Sequence, residues 1–418
     1  NGITNFVSLL DNIMVGQVGT EQMSGVAIAN QLVFIFNLCI FGAVAGAGIL
    51  GAQFYGSGNS EGVRDTFRFK LLFGVILSAI FAVIFLTVGE PLIQQFIHQG
   101  EGIGDLEATR SYGKAYLEVI VIGILPFALT QCYSGTLRET GETVIPMIAG
   151  IIAVLVNLVF NYILIFGKLG APELGCVGAA IATVLSRFVE LAIVAGWTHK
   201  HVARNPFIRG ALRSFKIPGS LLKQIIAIGL PLFINELMWS FGITFMTQCY
   251  SVRGLEVVAA FNIANTISNV FNVVFLSLGN SVGIIIGQML GAGRLEEAKR
   301  EDKQLIAFSV FCCFLTGAML ILLSPFFPRM YNTEEIVKEL ATQLIFITGC
   351  TASCMARILP CAPEENPLSL FCLTARTCGC FRFRSFSCSL VLLRFRCSLC
   401  ICSRSFPTLL SVSSAMCW

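Results

Sequence analysis

Six stretches of this chain run for 19 to 39 residues without one Asp, Glu, Lys or Arg: 22–60, 71–89, 119–137, 143–167, 257–293 and 304–328. A helix needs roughly 20 apolar residues to cross a hydrocarbon core, and within lipid the backbone must satisfy its own hydrogen bonds. Runs of this length point to an all-α polytopic membrane protein. Charged residues make up 12% of the 418 residues, about half the roughly 25% of soluble domains. No basic leader precedes the first apolar residues, so no cleavable signal peptide is legible. The missing initiating Met leads us to expect a chain clipped within or just before its first span.

The breaks between runs predict ten spans, at about residues 1–18, 26–54, 68–89, 112–136, 143–167, 176–197, 224–250, 257–290, 304–327 and from 338. Ser60 or Asn59 can cap the third span, and Pro126 is expected to kink the fourth. Assigning the breaks alternately to two sides places 14 basic residues on one side, from Arg64, Arg68, Lys70 and Arg138 to Arg300 and Lys303, and 6 on the other. By the positive-inside rule the first side is cytoplasmic, which gives a multi-pass protein of a bacterial plasma membrane. Between His199 and Lys223 the chain carries eight Lys, Arg or His residues with Pro206 and Pro218. This segment is expected to be a cytoplasmic linker with an amphipathic piece at the membrane surface.

An internal echo organises these spans. Shifting the sequence by 235 positions aligns residues 19–61 with 254–296 without a gap and with 13 identities in 43 positions. Ile28-Ala29-Asn30 falls on Ile263-Ala264-Asn265, Phe36-Asn37 on Phe271-Asn272, Gln53 on Gln288, Gly56 on Gly291 and Gly58 on Gly293. Apolar composition does not place Asn, Gln and Gly in register, so we read a duplication. Six spans separate the copies, an even number, and the copies are therefore parallel in the membrane, related by a pseudo-two-fold axis along its normal. The expected organisation is an N-lobe at 1–198, the linker at 199–223 and an incomplete C-lobe at 224–350.

Residues 351–418 break this pattern. They hold no Lys and no Asp but seven Arg and eleven Ser, and 11 of the 17 cysteines lie from Cys350 onward. Cys397 and Cys400 form a CxxC, yet no His or second spaced pair completes a metal site. A frameshift accounts for the change. Codons for Cys361 to Asn366, read one base earlier, are compatible with Leu-Arg-Ser-Gly-Gly-Lys, an echo of the Leu137-Arg138-Glu139-Thr140-Gly141-Glu142 that follows the fourth span. Residues 351–418 are thus expected to be an out-of-frame tail.

Polar residues within the spans are the candidates for chemistry, because an ionisable group in lipid is costly and faces a cavity or a partner. Asp11 in the first span reads as a proton or cation site, or as a solvated carboxylate near a helix end. Glu236 in the seventh admits the same two readings, with Asn235 and Gln248 on that span as further cavity candidates. Asn157 and Asn161 lie four apart and share a face, either as part of an ion or substrate site or as glue between helices. Arg187 and Glu190, three apart, are expected to form an internal ion pair. Asn30, Asn37, Asn265, Asn272, Gln53 and Gln288 recur at matched positions, which favours a scaffold role. No P-loop and no HExxH is present, and no metal site, cofactor, nucleic acid or enzymatic activity is expected.

Taken together, LLDNIMVGQVG in the first span, GAQFYGSG closing the second, TLRETGET after the fourth, NLVFNYILIFG, CVGAAIAT and GLPLFINE resemble the MATE family of multidrug and toxic compound extrusion transporters over about residues 1–350. The resemblance implies two six-helix lobes around a V-shaped cavity, and antiport of cationic or amphipathic compounds against protons or sodium by a protein expected to act as a monomer. By motif, Asp11 and Asn157 match the family's coupling positions, and Asn161 stands where many members have aspartate. Glu236 matches an acid found in part of the family. In this reading protonation of Asp11 repacks the first span and weakens drug binding. A flippase for lipid-linked precursors shares the architecture but calls for a cavity rich in Arg, where the sequence suggests acids and amides. A nonfunctional truncated fragment is the third reading.

Overall fold

The computed structural model describes residues 14, 20–97, 106–214, 217–230, 234, 255–330 and 335–355. Its helices are α1 (Thr20–Gly56), α2 (Ser60–Ile97), α3 (Leu106–Glu139), α4 (Val144–Ile165), α5 (Gly175–Lys200), α6 (Gly219–Leu230), α7 (Leu255–Gly291), α8 (Leu295–Leu323) and α9 (Glu335–Met355). Six of them are long and apolar enough to cross a membrane. The protein is an all-α, multi-pass membrane protein.

Side-chain burial divides each helix into a packed face and an exposed apolar face. In α4 the buried positions are Ala149, Ala153, Asn157, Asn161 and Ile165, a strict i, i+4 ladder that lays one stripe against α5. On α2, Val75, Ile76, Ile80, Val83 and Leu86 stand exposed, the surface that lipid covers. The N-lobe core is built by Val26, Ala29, Leu32, Phe36 and Ile40 of α1, Ile120, Ile124 and Ala128 of α3, and Ala179, Ala180 and Val184 of α5. In the second half, Ala260, Ile263, Ala264 and Ile267 of α7 pack on α8 and α9 through Leu320, Val337, Ala341 and Ile345.

Helix ends extend beyond the expected spans. α2 continues through Pro91 to Ile97, where a loop was expected from residue 90, and it begins at Ser60 rather than near 68. Hydropathy marks the lipid-embedded part of a helix, whereas the backbone hydrogen bonds continue into the headgroup and water layers. Asn59 is the cap, its Oδ1 accepting from the Gly62 N–H at 2.9 Å. α3 runs through Pro126, with the Thr130 hydroxyl donating to the Pro126 carbonyl at 2.8 Å.

The segment after α5 folds back onto the N-lobe. Phe207, Ile208 and Ala211 are buried against Val63, Phe67 and Leu71 of α2 and Tyr133 of α3. Arg68 fastens it, with Nε donating to the Ala211 carbonyl at 2.9 Å and Nη2 to the Gly210 carbonyl at 2.8 Å.

The duplication is visible bond for bond. After α1, the N–H groups of Ser57, Gly58 and Asn59 donate to the carbonyls of Gln53, Tyr55 and Phe54. After α7, those of Ala292, Gly293 and Arg294 donate to Gln288, Leu290 and Met289, each 235 positions on. Gly58 and Gly293 take φ of 74° and 75°, a left-handed conformation open to glycine at little cost.

Candidate functional site

Two features converge on the basic side of the bundle: a crossing of the repeated helices and a cavity above it. At the crossing the backbone of Gly56 in α1 lies directly against the Gln288 carbonyl in α7, and the backbone of Gly291 lies against the Gln53 carbonyl in α1. A Cβ at either glycine would overlap the opposing backbone. Residue 56 meets 288 and residue 291 meets 53, the reciprocal pattern that a two-fold axis imposes. Because Gly56 and Gly291 stand at the ends that precede the basic turns, this crossing lies on the side carrying Arg64, Arg68 and Arg294.

One side-chain bond ties the crossing to α3. Gln288 Nε2 donates to the backbone carbonyl of Glu139, the last residue of α3, at 2.7 Å. The Glu139 carboxylate faces the other way, into the N-lobe, where Lys70 Nζ of α2 donates to its two oxygens at 2.6 and 2.5 Å and to Thr136 Oγ1 at 3.2 Å. The pair is buried, with side-chain exposures of 0% for Lys70 and 5% for Glu139. It rests on α1 where Gly48 and Gly51 leave room, since a Cβ at either would strike the carboxylate. Sequence reasoning missed this pair: Lys70 reads as a topological charge at a helix end and Glu139 as part of a turn motif, and nothing in the linear order joins positions 69 apart. The spacing of Gly48 and Gly51 was the available signal.

The cavity has a volume of about 810 Å³. Asn30, Phe34, Asn37 and Phe41 of α1, Gln131, Ser134 and Arg138 of α3, Asn157 of α4, Thr183, Arg187 and Glu190 of α5, and Asn280 of α7 contribute to its lining. Among the described residues its lining belongs to the first half of the chain except for Asn280 of α7. The Tyr116 hydroxyl donates to Asn30 Oδ1 at 3.2 Å, so Asn30, expected as scaffold, and Asn37 stand on the cavity wall. Asn161 Nδ2 donates to Asn157 Oδ1 at 3.2 Å, and Asn157 Nδ2 donates to Thr183 Oγ1 at 3.3 Å. The two asparagines thus share one polar chain between α4 and α5. Arg187 Nη1 reaches Glu190 Oε2 at 3.1 Å, the internal pair expected from their spacing.

The sequence suggests acids and amides; among the described residues the amides Asn30, Asn37, Gln131 and Asn157 and the charged side chains Arg138, Arg187 and Glu190 line it, and the expected acids Asp11 and Glu236 fall outside them. Arg138 closes α3 four residues after Ser134 and turns back to it, so a residue assigned to the basic loop side instead lines the cavity. Asp11, Glu236, Asn235 and Gln248 lie outside the described residues. Asn265 is half-buried on α7, and Asn272 belongs to the same helix. Among the described residues no cluster of three metal-ligating side chains occurs.

Comparison with known proteins was made on sequence and on fold. A family model described as MatE matches residues 1–163 and 231–361. A probable multidrug resistance protein NorM of Thermotoga maritima is 27% identical over 352 residues, covering 84% of this chain and 73% of the relative. The multidrug resistance protein MdtK of Edwardsiella ictaluri is 26% identical over 348 residues, covering 82% and 73%. A crystal structure of MATE in the straight conformation superposes with a TM-score of 0.75 at 21% identity, over 93% of this chain and 81% of that one.

Proposed function

Because the chain belongs to the MatE family, we propose that it is a secondary transporter that exports cationic or amphipathic compounds by alternating access, driven by inward flow of protons or sodium. The observation that carries this reading is the reciprocal crossing of α1 and α7 beside a polar cavity of the first half that Asn280 of α7 also borders. A seal on one side and a binding volume above it are what one end state of such a cycle requires. Rocking the lobes apart at Gly56 and Gly291 opens the cavity to the cytoplasm, and it must also break the bond from Gln288 to Glu139. The multidrug names of the relatives support the substrate class. Asp11 is the coupling carboxylate in this reading, and the Asn157–Asn161 chain lies in the N-lobe where coupling is expected. The family match ends at residue 361, inside the 351–418 segment expected to be out of frame, and it supports that reading only beyond this point.

The test is expression in a bacterial strain stripped of its efflux pumps, using this chain and a form with the reading frame restored after codon 360. The restored form should lower ethidium accumulation in energised cells, and Asp11→Asn in that form should abolish the proton-driven part. A restored form inert toward every cationic drug tried would remove the export reading. One observation favours a flippase for lipid-linked precursors, namely the two arginines in the cavity, and translocation of a fluorescent polyprenyl pyrophosphate in proteoliposomes distinguishes that activity.

A further inference from the structure

The charges in the cavity exceed what capture of a cation calls for, and they are not equivalent. Arg187 is committed on two sides: its Nη1 holds Glu190 at 3.1 Å, and its guanidinium lies over the Phe127 ring, 5.0 Å from the centroid. Paired and stacked, it adds little net field to the cavity. Arg138 differs. Its Nε donates to the Ser134 carbonyl one turn back at 3.1 Å, and no carboxylate of a described residue lies within ion-pair distance of it. Glu139 beside it is turned to Lys70, and Glu190 is held by Arg187.

A basic residue in the last turn of a helix also complements the helix dipole, and the Nε bond serves that role. It leaves the two terminal nitrogens uncommitted among the described residues, on a side chain that lines the cavity. Two adjacent N–H donors on a planar, permanently charged group match the two oxygens of a carboxylate or the edge of a phosphate. Phe34, Phe41 and Phe127 line the same cavity, and they offer rings to an aromatic or apolar body.

We propose that Arg138 is an oxyanion subsite of this cavity, selecting amphipathic substrates that carry a carboxylate or phosphate over purely cationic ones. The proposal rests on reading the cavity as the substrate site and ranks zwitterions and amphipathic anions above pure cations within its substrate class.

Binding to the purified, detergent-solubilised full chain tests it without requiring transport. The probes are ciprofloxacin, which carries a carboxylate, and its methyl ester, which does not, each followed by its own fluorescence anisotropy. The parent should bind the acid about tenfold or more tighter than the ester, the scale of a charge-assisted hydrogen-bonded pair. R138Q should erase that preference, weakening the acid about tenfold more than the ester. R138K, which keeps the charge and loses the fork, should retain part of it and serves as the second variant should R138Q misfold. A parent that binds acid and ester equally, an R138Q that weakens both alike, or an R138K with undiminished preference overturns the assignment. Displacement of ciprofloxacin by geranyl pyrophosphate in the parent but not in R138Q names a lipid phosphate as the source of the oxyanion, and absence of displacement names a carboxylate; the subsite stands in both cases. Preference for the acid by a chain whose restored form exports nothing separates the subsite from the transport reading, and cation export without that preference separates them the other way.

Discussion

Lys70 and Glu139 meet where neither has water as an alternative partner. A buried ion pair recovers the cost of desolvation only while both members are present, and removing one leaves a charge stranded at a cost of roughly 3–5 kcal/mol. Lys70→Met or Glu139→Leu alone should therefore lower the midpoint of thermal unfolding in detergent sharply, whereas the double variant should recover most of the loss. Equal midpoints for the single and double variants would mean that the pair is solvated in solution. At this scale the sequence is least informative. It marks Asn157 and Asn161 as a pair on one face and Arg187 with Glu190 as partners, because helical spacing fixes i, i+3 and i, i+4 neighbours. It does not join Lys70 to Glu139, or turn Arg138 into the cavity, because those relations depend on how α1, α2 and α3 pack.

Among the elements, α1 and α7 govern how close the two lobes approach. Their backbones touch at Gly56 and Gly291, and a valine at position 56 has no room against the Gln288 carbonyl. Gly56→Val should hold the crossing open, break the bond from Gln288 to Glu139, and raise the rate at which a membrane-impermeant maleimide applied from the cytoplasmic side labels a cysteine placed at Ser134. An unchanged labelling rate would show that the seal lies elsewhere. Gln288→Ala, which removes one hydrogen bond worth about 1 kcal/mol and leaves the glycine contact intact, should raise it only modestly. Among the described elements, the charge-free runs located α1, α2, α3, α4, α7 and α8, and the 235-residue echo matched α1 to α7; apart from residues 14 and 234, the expected first span, and the seventh beyond residue 230, lie outside the described residues. The helix ends were not legible, since α2 and α3 extend past the apolar runs with charged turns that hydropathy cannot distinguish from loops.

For the molecule as a whole, the duplication supplies the frame. The matched turns at Gly58 and Gly293 reproduce one another bond for bond, and the positions that match Arg138 and Glu139, 373 and 374, lie outside the described residues. The broad class follows from what lipid demands of any chain. The polarity of the cavity does not, because it depends on which few side chains turn inward.

Fusion of the two copies into one polypeptide has a consequence for experiment. In a homodimer a substitution at a two-fold contact strikes both sides at once, and the two halves cannot be told apart. Here the same contact occurs twice under separate residue numbers, so Gly56→Ala and Gly291→Ala are twin perturbations of one geometry, each able to serve as the other's control. If both raise cytoplasmic labelling of the Ser134 cysteine equally, the crossing acts as a symmetric hinge. If Gly56→Ala, which pushes on the backbone of Gln288 itself, raises it more, the difference between the twins reports on the bond from Gln288 to Glu139 that only one of them disturbs directly.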